Sequence, residues 1–387
     1  MIASEGPSQA GTLARRPSPV PPLARPSLVD YAAERFERLC SVASFPNADE
    51  ATRTFRSLVF PWANRPLGLT SPWVSEVSDD NTPIEFSVAI AGDQVEVRVL
   101  FEPQAEEPTL PAYRAAGLAL HDRLEREFGA DLTRFRLVRD LFLPEDMQGP
   151  FAVWCYAVFS ALRAPFFKAY FNPQARGPEL AHSLVEQGLE RLGLDGAWAT
   201  LTRGSLARGP HADELKYFAL DLTGDPEARV KVYVRHHGAT PEDLELACNA
   251  SRHFVPGEAL AFARAMRAGS DRLGVRAPFT CHAFTGNADA RPTSSTLYIP
   301  VCAYARDDAA VQRRVHDYLV ASHIDPTRYD SMVKGFANRP LEQGVGMQSW
   351  VALRRNDEGV RITVYFGTEA NRVHSPGVVP APTMERG

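Results

Sequence analysis

One predicted strand near the middle of the chain carries residue types that could do chemistry on an anion. In the stretch Pro226–Arg235, the side chains of Arg229, Lys231, Tyr233 and Arg235 would point to one face of an extended strand, and three valines to the other. Arginine can bind a phosphate through two parallel hydrogen bonds, and lysine supplies a point charge. On one strand alone, the ordinary alternative is a solvated basic face above a buried valine face.

The same pattern recurs on further predicted strands, each the second strand of a hairpin. Their corresponding faces carry Glu96 and Arg98; Phe166, Lys168 and Tyr170; Arg229, Lys231, Tyr233 and Arg235; Thr296 and Tyr298; and Arg361, Thr363 and Tyr365. If these faces meet, the cations would repel one another unless an anion lies between them, and their number suits a diphosphate without a metal ion. Tyrosine rings are electron-rich and can shield a carbocation. The pattern therefore favours ionisation of an allylic diphosphate over the solvated alternative.

One acid stands out on the first strand of a hairpin. Glu85 lies between the apolar residues Ile84 and Phe86, so it would face the same side as the cations. A carboxylate there could accept a hydrogen bond from an aromatic N–H and so raise the electron density of the ring. A salt bridge to one of the cations is an equally supported interpretation.

These residues need a scaffold that turns five strands toward one another. Five predicted β-hairpins begin near residues 83, 151, 214, 278 and 347, about 65 residues apart, with helices between them. One helix, at about 111–128, is predicted between the first two hairpins, and another is predicted over about 257–273. We expect an α+β fold in which ten antiparallel strands, in five ααββ repeats, close around a central cavity inside a belt of helices. The outer face of such a sheet must be apolar, and its inner face can be polar.

The composition excludes several classes of protein. The chain has 387 residues, 44% hydrophobic and 23% charged, with a net charge of −5, which argues against a general nucleic-acid or membrane-surface binder. No apolar run approaches the roughly 18–20 residues of a membrane span. The five cysteines show no zinc-binding spacing, and such scattered cysteines indicate reduced thiols in a cytoplasmic protein.

Proline content suggests where the folded part begins and ends. We expect a disordered Pro/Ala/Arg-rich leader over residues 1–27, a single domain over 28–370 and a loose tail over 371–387.

Two pairs of neighbouring acidic or histidine residues raise the question of a metal site. Asp79 and Asp80 are predicted to form a solvated entry to a turn, and His236 and His237 an exposed pair in a loop, rather than metal sites.

Several short motifs, taken in order, resemble a known family. They are Ile84-Glu85-Phe86-Ser87, Lys168-x-Tyr170, Arg229-x-Lys231-x-Tyr233, Leu297-Tyr298-Ile299-Pro300 and Arg361-x-x-x-Tyr365. With the fivefold repeat, they resemble the soluble aromatic prenyltransferases of the dimethylallyltryptophan synthase type, whose fold is the ABBA barrel. The compact length is most similar to that of the bacterial tryptophan prenyltransferases.

The resemblance implies a function and a role for each matched residue. It implies metal-independent transfer of a dimethylallyl group from its diphosphate to the indole ring of L-tryptophan or a derivative, on the benzene side with C6 favoured, in secondary metabolism. The implied reaction requires no cofactor and no Mg²⁺. The implied partners are small molecules, and the protein is expected to be a monomer or weak homodimer. The implied roles are indole N–H binding by Glu85; diphosphate binding by Arg98, Lys168, Arg229 and Lys231, with Arg361 beside them and Lys168 also catalytic; a cation shield of Tyr170, Tyr233, Tyr298 and Tyr365; stacking by Trp350; and contacts of Lys216 and Asn172 to an amino-acid carboxylate.

The sequence also departs from the family pattern at two positions. Fungal enzymes that prenylate C4 carry a lysine base, and its equivalent here is expected near Cys155, which is not such a base. Thr296 occupies a position where the family often has glutamine. Two alternative functions remain open. The protein could be a prenyltransferase that acts on a phenolic or naphthalene acceptor, or a non-catalytic protein that binds a prenyl diphosphate.

Overall fold

The fold is built around one sheet of ten strands. The structure, a computed structural model, describes residues 25–60, 62–68, 75–91, 94–267, 274–286 and 290–380. The strands are β1 Ile84–Ala91, β2 Gln94–Phe101, β3 Val153–Ser160, β4 Phe166–Phe171, β5 Asp213–Asp221, β6 Val230–His236, β7 Phe279–Phe284, β8 Ser294–Ile299, β9 Gln348–Asn356 and β10 Gly359–Gly367.

The sheet closes into a barrel. Each strand pairs antiparallel with the next along the chain, and β1 pairs with β10, where Glu85 lies opposite Gly367 and Ile90 opposite Ile362. Closure pairs both edges of the sheet, so neither edge strand is left as a template for aggregation. The predicted closed, ten-stranded antiparallel barrel is confirmed.

Helices surround the barrel, two before each hairpin. They are α1 Leu28–Val42, α2 Ala48–Val59, α3 Leu110–Phe128, α4 Thr133–Phe142, α5 Ala181–Arg191, α6 Asp195–Arg203, α7 Pro241–Cys248, α8 Glu258–Met266, α9 Asp308–Ala321 and α10 Thr327–Phe336. Local signals explain several boundaries: Ser27 caps the start of α1, and Thr240 and Asp243 form a capping box at the start of α7. Among the described helices, none is long and apolar enough to cross a membrane.

Two helical regions differ from the sequence prediction. The pattern predicts one helix between the first two hairpins, but the structure has two, α3 and α4. The apolar residues of α4, including Phe135, Val138 and Phe142, do recur at helical spacing and are buried. The helix predicted over about 257–273 ends at Met266 in the structure, and residues 268–273 lie outside the described residues.

The sheet is apolar outside and polar inside. On β6, Val230, Val232 and Val234 are fully buried in the layer between sheet and helices. The alternating side chains, including Lys231, point into the lumen. The predicted inversion of the usual sheet orientation is therefore confirmed, and it supplies a polar interior.

The chain after β10 lies against one end of the barrel as far as residue 380. The Asn371 backbone N–H donates to the Asp80 carboxylate at 2.9 Å, the Val345 N–H donates to the His374 carbonyl at 3.0 Å, and the Pro380 carbonyl accepts from Arg276 at 3.3 Å. These contacts hold part of the segment that is predicted to be a loose tail. Residues 1–24 of the predicted leader and residues 381–387 lie outside the described residues.

Candidate active site

The lumen contains two cavities joined by tyrosines. The first, here called the aromatic chamber, has a volume of about 460 Å³ and is lined by residues that include Glu85, Trp154, Lys216, Tyr217, Arg276, Phe279 and Trp350. The second, the cation chamber, has a volume of about 810 Å³ and is lined by residues that include Arg98, Lys168, Arg229, Lys231, Arg354 and Arg361. Tyr298 and Tyr365 line both chambers.

Strand β6 and the residue before it run through both chambers. Arg229 and Lys231 lie in the cation chamber, Tyr233 lines the aromatic chamber, and Arg235 lies farther along that chamber. Successive inward residues on a strand are about 7 Å apart, so these four side chains sample the length of the lumen. The four residues that the sequence pattern placed on one face are thus brought together, but at two different cavities.

Two carboxylates partly neutralise the cation chamber. Glu96 accepts from Arg98 at 3.0 Å (Nε) and lies 3.3 Å from Arg361 Nη1. Asp221 accepts from Arg229 Nε at 2.7 Å and lies 3.7 Å from Lys168 Nζ. Burial alone would raise the pKa of Glu96. The charges of Arg98, Arg361 and Arg163 outweigh burial and lower that pKa to about 2.

Arg354, on β9, is a further cation of this chamber that the sequence interpretation overlooked. It is half-buried, and its Nε atom has no hydrogen-bond partner among the residues that the structure describes. Burial, together with the charges of Arg361, Arg229 and Arg98, lowers the pKa of Arg354 to about 10. Because it is on the first strand of the last hairpin, a search of second strands alone could not find it, although it faces inward like Trp350, four residues earlier.

The chamber carries an excess of positive charge. Eight arginines and lysines line the chamber, and five carboxylates line it or pair with its cations, which leaves three formal positive charges; the carboxylates are Glu96, Asp221, Glu227, Asp357 and Glu358. Burial and the charge of Arg229 lower the pKa of Lys231 to about 8, and burial and the charge of Lys231 lower the pKa of Lys168 well below its usual value. A polyanion in the chamber would relieve this repulsion.

Five tyrosines form an arc between the two chambers. They follow one another around the lumen, with the centroids of neighbouring rings 5.5–5.9 Å apart, in the order Tyr156, Tyr170, Tyr233, Tyr298 and Tyr365. The hydroxyls of Tyr170 and Tyr233 are 2.8 Å apart, and that of Tyr156 is 2.9 Å from Ser87. Tyr156 was not singled out from the sequence, although it lies directly opposite Lys168 in the β3–β4 pairing. Lys168 Nζ lies 5.2 Å from the Tyr156 ring centroid, so the tyrosine arc brings electron-rich rings close to the cations.

Glu85 is buried in the aromatic chamber. It accepts a hydrogen bond from the Ser349 hydroxyl at 3.0 Å, and no ion pair of Glu85 with a lumen cation is found among the described residues. Burial and the nearby charge of Asp79 raise the pKa of Glu85 to about 8, although Ser349 and Arg276 act in the opposite direction. The salt-bridge interpretation of Glu85 is therefore not supported, and a hydrogen-bond acceptor remains.

Aromatic rings and an arginine that is paired with Asp79 form the wall beside Glu85. Trp350 packs edge-on against Phe279, with centroids 5.2 Å apart, and the Arg276 guanidinium lies 4.4 Å from the Trp350 ring centroid. Asp79 accepts two hydrogen bonds from Arg276, at 2.6 and 2.7 Å. Asp79 and Asp80 are both buried, so the prediction of a solvated turn is wrong for them; a buried arginine partner cannot be read from an isolated acidic pair.

Two other predicted residues are placed away from the chambers. Asn172 does not line either chamber: its amide donates to the Gln148 carbonyl at 3.3 Å and its side-chain oxygen accepts from the Gln174 N–H at 2.9 Å, which holds a turn. Cys155 points outward into the buried layer under the helices, and burial raises the pKa of its thiol. The inward positions beside it are occupied by aromatic residues.

The remaining predicted residues fall as follows. Thr296 lines the cation chamber, and Lys216 lines the aromatic chamber. His236 is buried on the outer face of the sheet between Asp213 and Thr280, so the prediction of an exposed loop pair is wrong for this residue. Among the described residues, no group of three or more His, Cys, Asp or Glu side chains is arranged to hold a metal ion.

Comparisons with known proteins agree with this arrangement. A family model described as tryptophan dimethylallyltransferase matches residues 35–249. The chain is 34% identical to 6-dimethylallyltryptophan synthase from Micromonospora olivasterospora, solved in complex with DMASPP and Trp; the match covers 90% of this chain and 99% of that one, with a TM-score of 0.86. It is 31% identical to 5-dimethylallyltryptophan synthase from Streptomyces coelicolor, also solved with DMASPP and Trp; that match covers 94% of this chain and 100% of the other, with a TM-score of 0.83.

A more distant structure shares the fold. AnaPT from Neosartorya fischeri is 16% identical, with a TM-score of 0.70 over 92% of this chain and 96% of that chain. The family match spans more than half of the sequence, and the two synthases are similar over nearly their whole length. The chain is therefore a prenyltransferase, and it belongs to the tryptophan dimethylallyltransferase family.

Proposed function

We propose that the protein transfers a dimethylallyl group from dimethylallyl diphosphate to the indole ring of L-tryptophan, without a metal ion. The single observation that carries this proposal is the order of groups along one lumen. A cation chamber, a tyrosine arc and a buried carboxylate follow one another, as a diphosphate, an allyl cation and an indole N–H would require. The tryptophan complexes of the two similar synthases support the choice of substrates.

The cation chamber is the proposed site of the donor's diphosphate. Arg98, Lys168, Arg229 and Lys231 would bind its oxygens, and Arg361 and Arg354 would complete the set. Charge that develops on the leaving diphosphate as the C–O bond breaks would be stabilised by these groups, which is the usual way that fixed charges lower the barrier for such a step. Lys168 contributes to catalysis in this way.

The tyrosine arc is the proposed shield of the allyl cation. Tyr170, Tyr233, Tyr298 and Tyr365 would surround the five-carbon cation and keep water from it, with Tyr156 as a fifth member. The ring of the acceptor then attacks the cation, a C–C bond forms, and loss of the ring proton restores aromaticity. The step is an electrophilic aromatic substitution of the Friedel–Crafts type.

The aromatic chamber is the proposed site of the acceptor. The Glu85 carboxylate would accept a hydrogen bond from the indole N–H, which raises electron density on the ring, and Trp350 would stack against it. Lys216 would contact the carboxylate of the amino acid. A phenolic acceptor offers no N–H for a buried carboxylate, so Glu85 favours an indole over that alternative.

We further propose attack on the benzene side of the indole, at C6. The slightly higher identity to the 6-synthase, 34% against 31% for the 5-synthase, supports this position. The inward positions beside Cys155 are occupied by Trp154 and Tyr156, so the lysine base of the fungal C4 enzymes has no counterpart there. NMR of the product decides the position directly.

Solution properties follow from the same proposal. Five free cysteines, all buried, fit a reducing compartment such as the cytoplasm. We propose a monomer or weak homodimer, which light scattering coupled to size-exclusion chromatography would distinguish.

The testing experiment incubates the protein with dimethylallyl diphosphate and L-tryptophan in excess EDTA. Prenylated tryptophan in EDTA supports the proposal. Turnover only with phenols or naphthalenes, or only when Mg²⁺ is restored, would contradict its acceptor or its metal independence. Binding of the donor without turnover of any acceptor would indicate a binding protein instead.

A further inference from the structure

A second buried ion pair, besides that of Arg276 with Asp79, lies in the wall of the aromatic chamber. The Lys216 Nζ is 3.4 Å from the Glu76 carboxylate, and both side chains are nearly buried, at 10% and 8% exposed. Both residues line the chamber that also contains Glu85. The adjacent Val77 packs into the lumen with Phe151 and Trp154, which fixes the segment that carries Glu76.

The nearby carboxylate of Glu214 is occupied by other donors. It accepts from Gln174 Nε2 at 2.9 Å, contacts His237 Nε2 at 2.8 Å and lies 3.5 Å from Arg235. Among the described residues, the ion pair with Lys216 is the one salt bridge of Glu76. A carboxylate has about four acceptor directions, so Glu76 can hold Lys216 and accept from a ligand as well.

The balance of charge indicates which ligand fits the pair. Burial and the charge of Arg235 lower the pKa of Lys216, and Glu76 acts against them. A ligand that brings a single charge into such a desolvated site leaves that charge, or one of the pair, without a complete partner. A ligand that brings both signs gives each buried ion a second opposite neighbour and leaves the net charge unchanged.

We propose that Glu76 binds the α-ammonium group of the acceptor while Lys216 binds its carboxylate, so that Glu76 makes the site specific for a free α-amino acid. This inference rests on the proposed function, because it places the indole of the same substrate at Glu85. Indole acids without an amino group, and peptides with a blocked one, would lose the contact to Glu76. Glu76 acts on specificity and takes no part in breaking or forming the covalent bonds.

The test compares two acceptors in three proteins. Values of kcat/KM are measured for L-tryptophan and indole-3-propionate with the wild type, with Glu76→Gln and with the control Glu214→Gln, which removes a carboxylate from the same end of the barrel. The wild type should prefer L-tryptophan by about 10- to 100-fold, the value of one charge-assisted hydrogen bond in a desolvated site. Glu76→Gln should abolish this preference through a higher KM for L-tryptophan, whereas Glu214→Gln should keep it.

Several results would overturn the inference. They are a wild type that uses both acceptors equally, or a Glu76→Gln variant that either keeps its preference or loses both activities to the same extent. If Glu76→Gln does not fold, as judged by circular dichroism, the double variant Glu76→Gln/Lys216→Gln removes both charges and must show no preference. Failure of the proposed function looks different, because then neither acceptor is prenylated by any of the proteins.

Discussion

The hydrogen bond from Ser349 to Glu85 predicts a specific change in pH dependence. In our account, indole binding needs the carboxylate form of Glu85, so activity should rise with pH through the pKa of this residue, which burial and Asp79 raise to about 8. The Ser349 hydroxyl donates to that carboxylate at 3.0 Å and stabilises its charged form. Ser349→Ala should therefore raise the pKa of Glu85 further and move the rise in activity to higher pH.

The size of the shift follows from the geometry. A hydrogen bond to a charged group contributes about 1.5–3 kcal/mol, and one pKa unit corresponds to about 1.36 kcal/mol, so the lower figure gives a shift of about one unit. With a pKa that moves from about 8 to about 9, the carboxylate fraction of Glu85 at pH 7 falls from about a tenth to about a hundredth. The ratio of variant to wild-type activity should then be about 0.1 at pH 7 and about 0.5 at pH 9.

The assay measures kcat/KM for L-tryptophan from pH 6.5 to 9 with the donor saturating, by chromatography of the prenylated product. Saturating donor keeps the lysines of the cation chamber charged, and the ratio of variant to wild type cancels the titration of the substrate itself. Glu85→Gln serves as the control, since it should lose most activity and show no rise with pH near 8. A Ser349→Ala variant whose activity ratio is the same at every pH would refute the reasoning.

Three further predictions test other parts of the site. Arg354→Met should raise the KM for dimethylallyl diphosphate by about 10- to 100-fold, because one charge-assisted phosphate contact is lost, and should leave the KM for L-tryptophan unchanged; an equal rise in both KM values in steady-state kinetics would contradict the placement of Arg354. Inorganic diphosphate at about 100 times its Kd should stabilise the protein by about 2.7 kcal/mol and raise its Tm by about 3 °C in a thermal-shift assay, more at low than at high salt; no shift at low salt would argue against an anion site in the cation chamber. Cys155→Ala should cost about 1–2 kcal/mol in the free energy of unfolding, measured by urea denaturation, and leave the ring position of the product unchanged by NMR; a changed ring position would mean that this outward thiol influences the reaction.

The fold could be read from the sequence because its signal is periodic and repeated. The alternation of valines with charged residues on β6 identifies a strand, and five similar hairpins at regular spacing leave a closed barrel as the natural arrangement. Helix α4 is the part that was missed, although its apolar residues do recur at helical spacing. The length of the interval between the first two hairpins already allowed for it.

The candidate site was predictable where residues act through strand alternation, and not where they act through partners distant in the chain. Lys168 and Tyr170 face the lumen because every second residue of an inward-facing strand must do so. By contrast, the hydrogen bond from Ser349 to Glu85 and the ion pair of Asp79 with Arg276 join positions about 200 residues or more apart, and the barrel's closure alone brings them together. Asn172 failed for a related reason: its side chain is used by a local turn that sequence patterns do not reveal.

The central claim is that one lumen holds the donor's diphosphate at one end of the tyrosine arc and the acceptor's indole at the other. The most direct test is a crystal structure with dimethylallyl thiolodiphosphate, which does not ionise readily, and L-tryptophan. We predict that the diphosphate contacts Arg98, Lys168, Arg229 and Lys231, that the allyl group lies against the tyrosines, and that the indole N–H is within hydrogen-bonding distance of Glu85. A diphosphate bound outside the cation chamber, or an indole whose N–H points away from Glu85, would contradict the account.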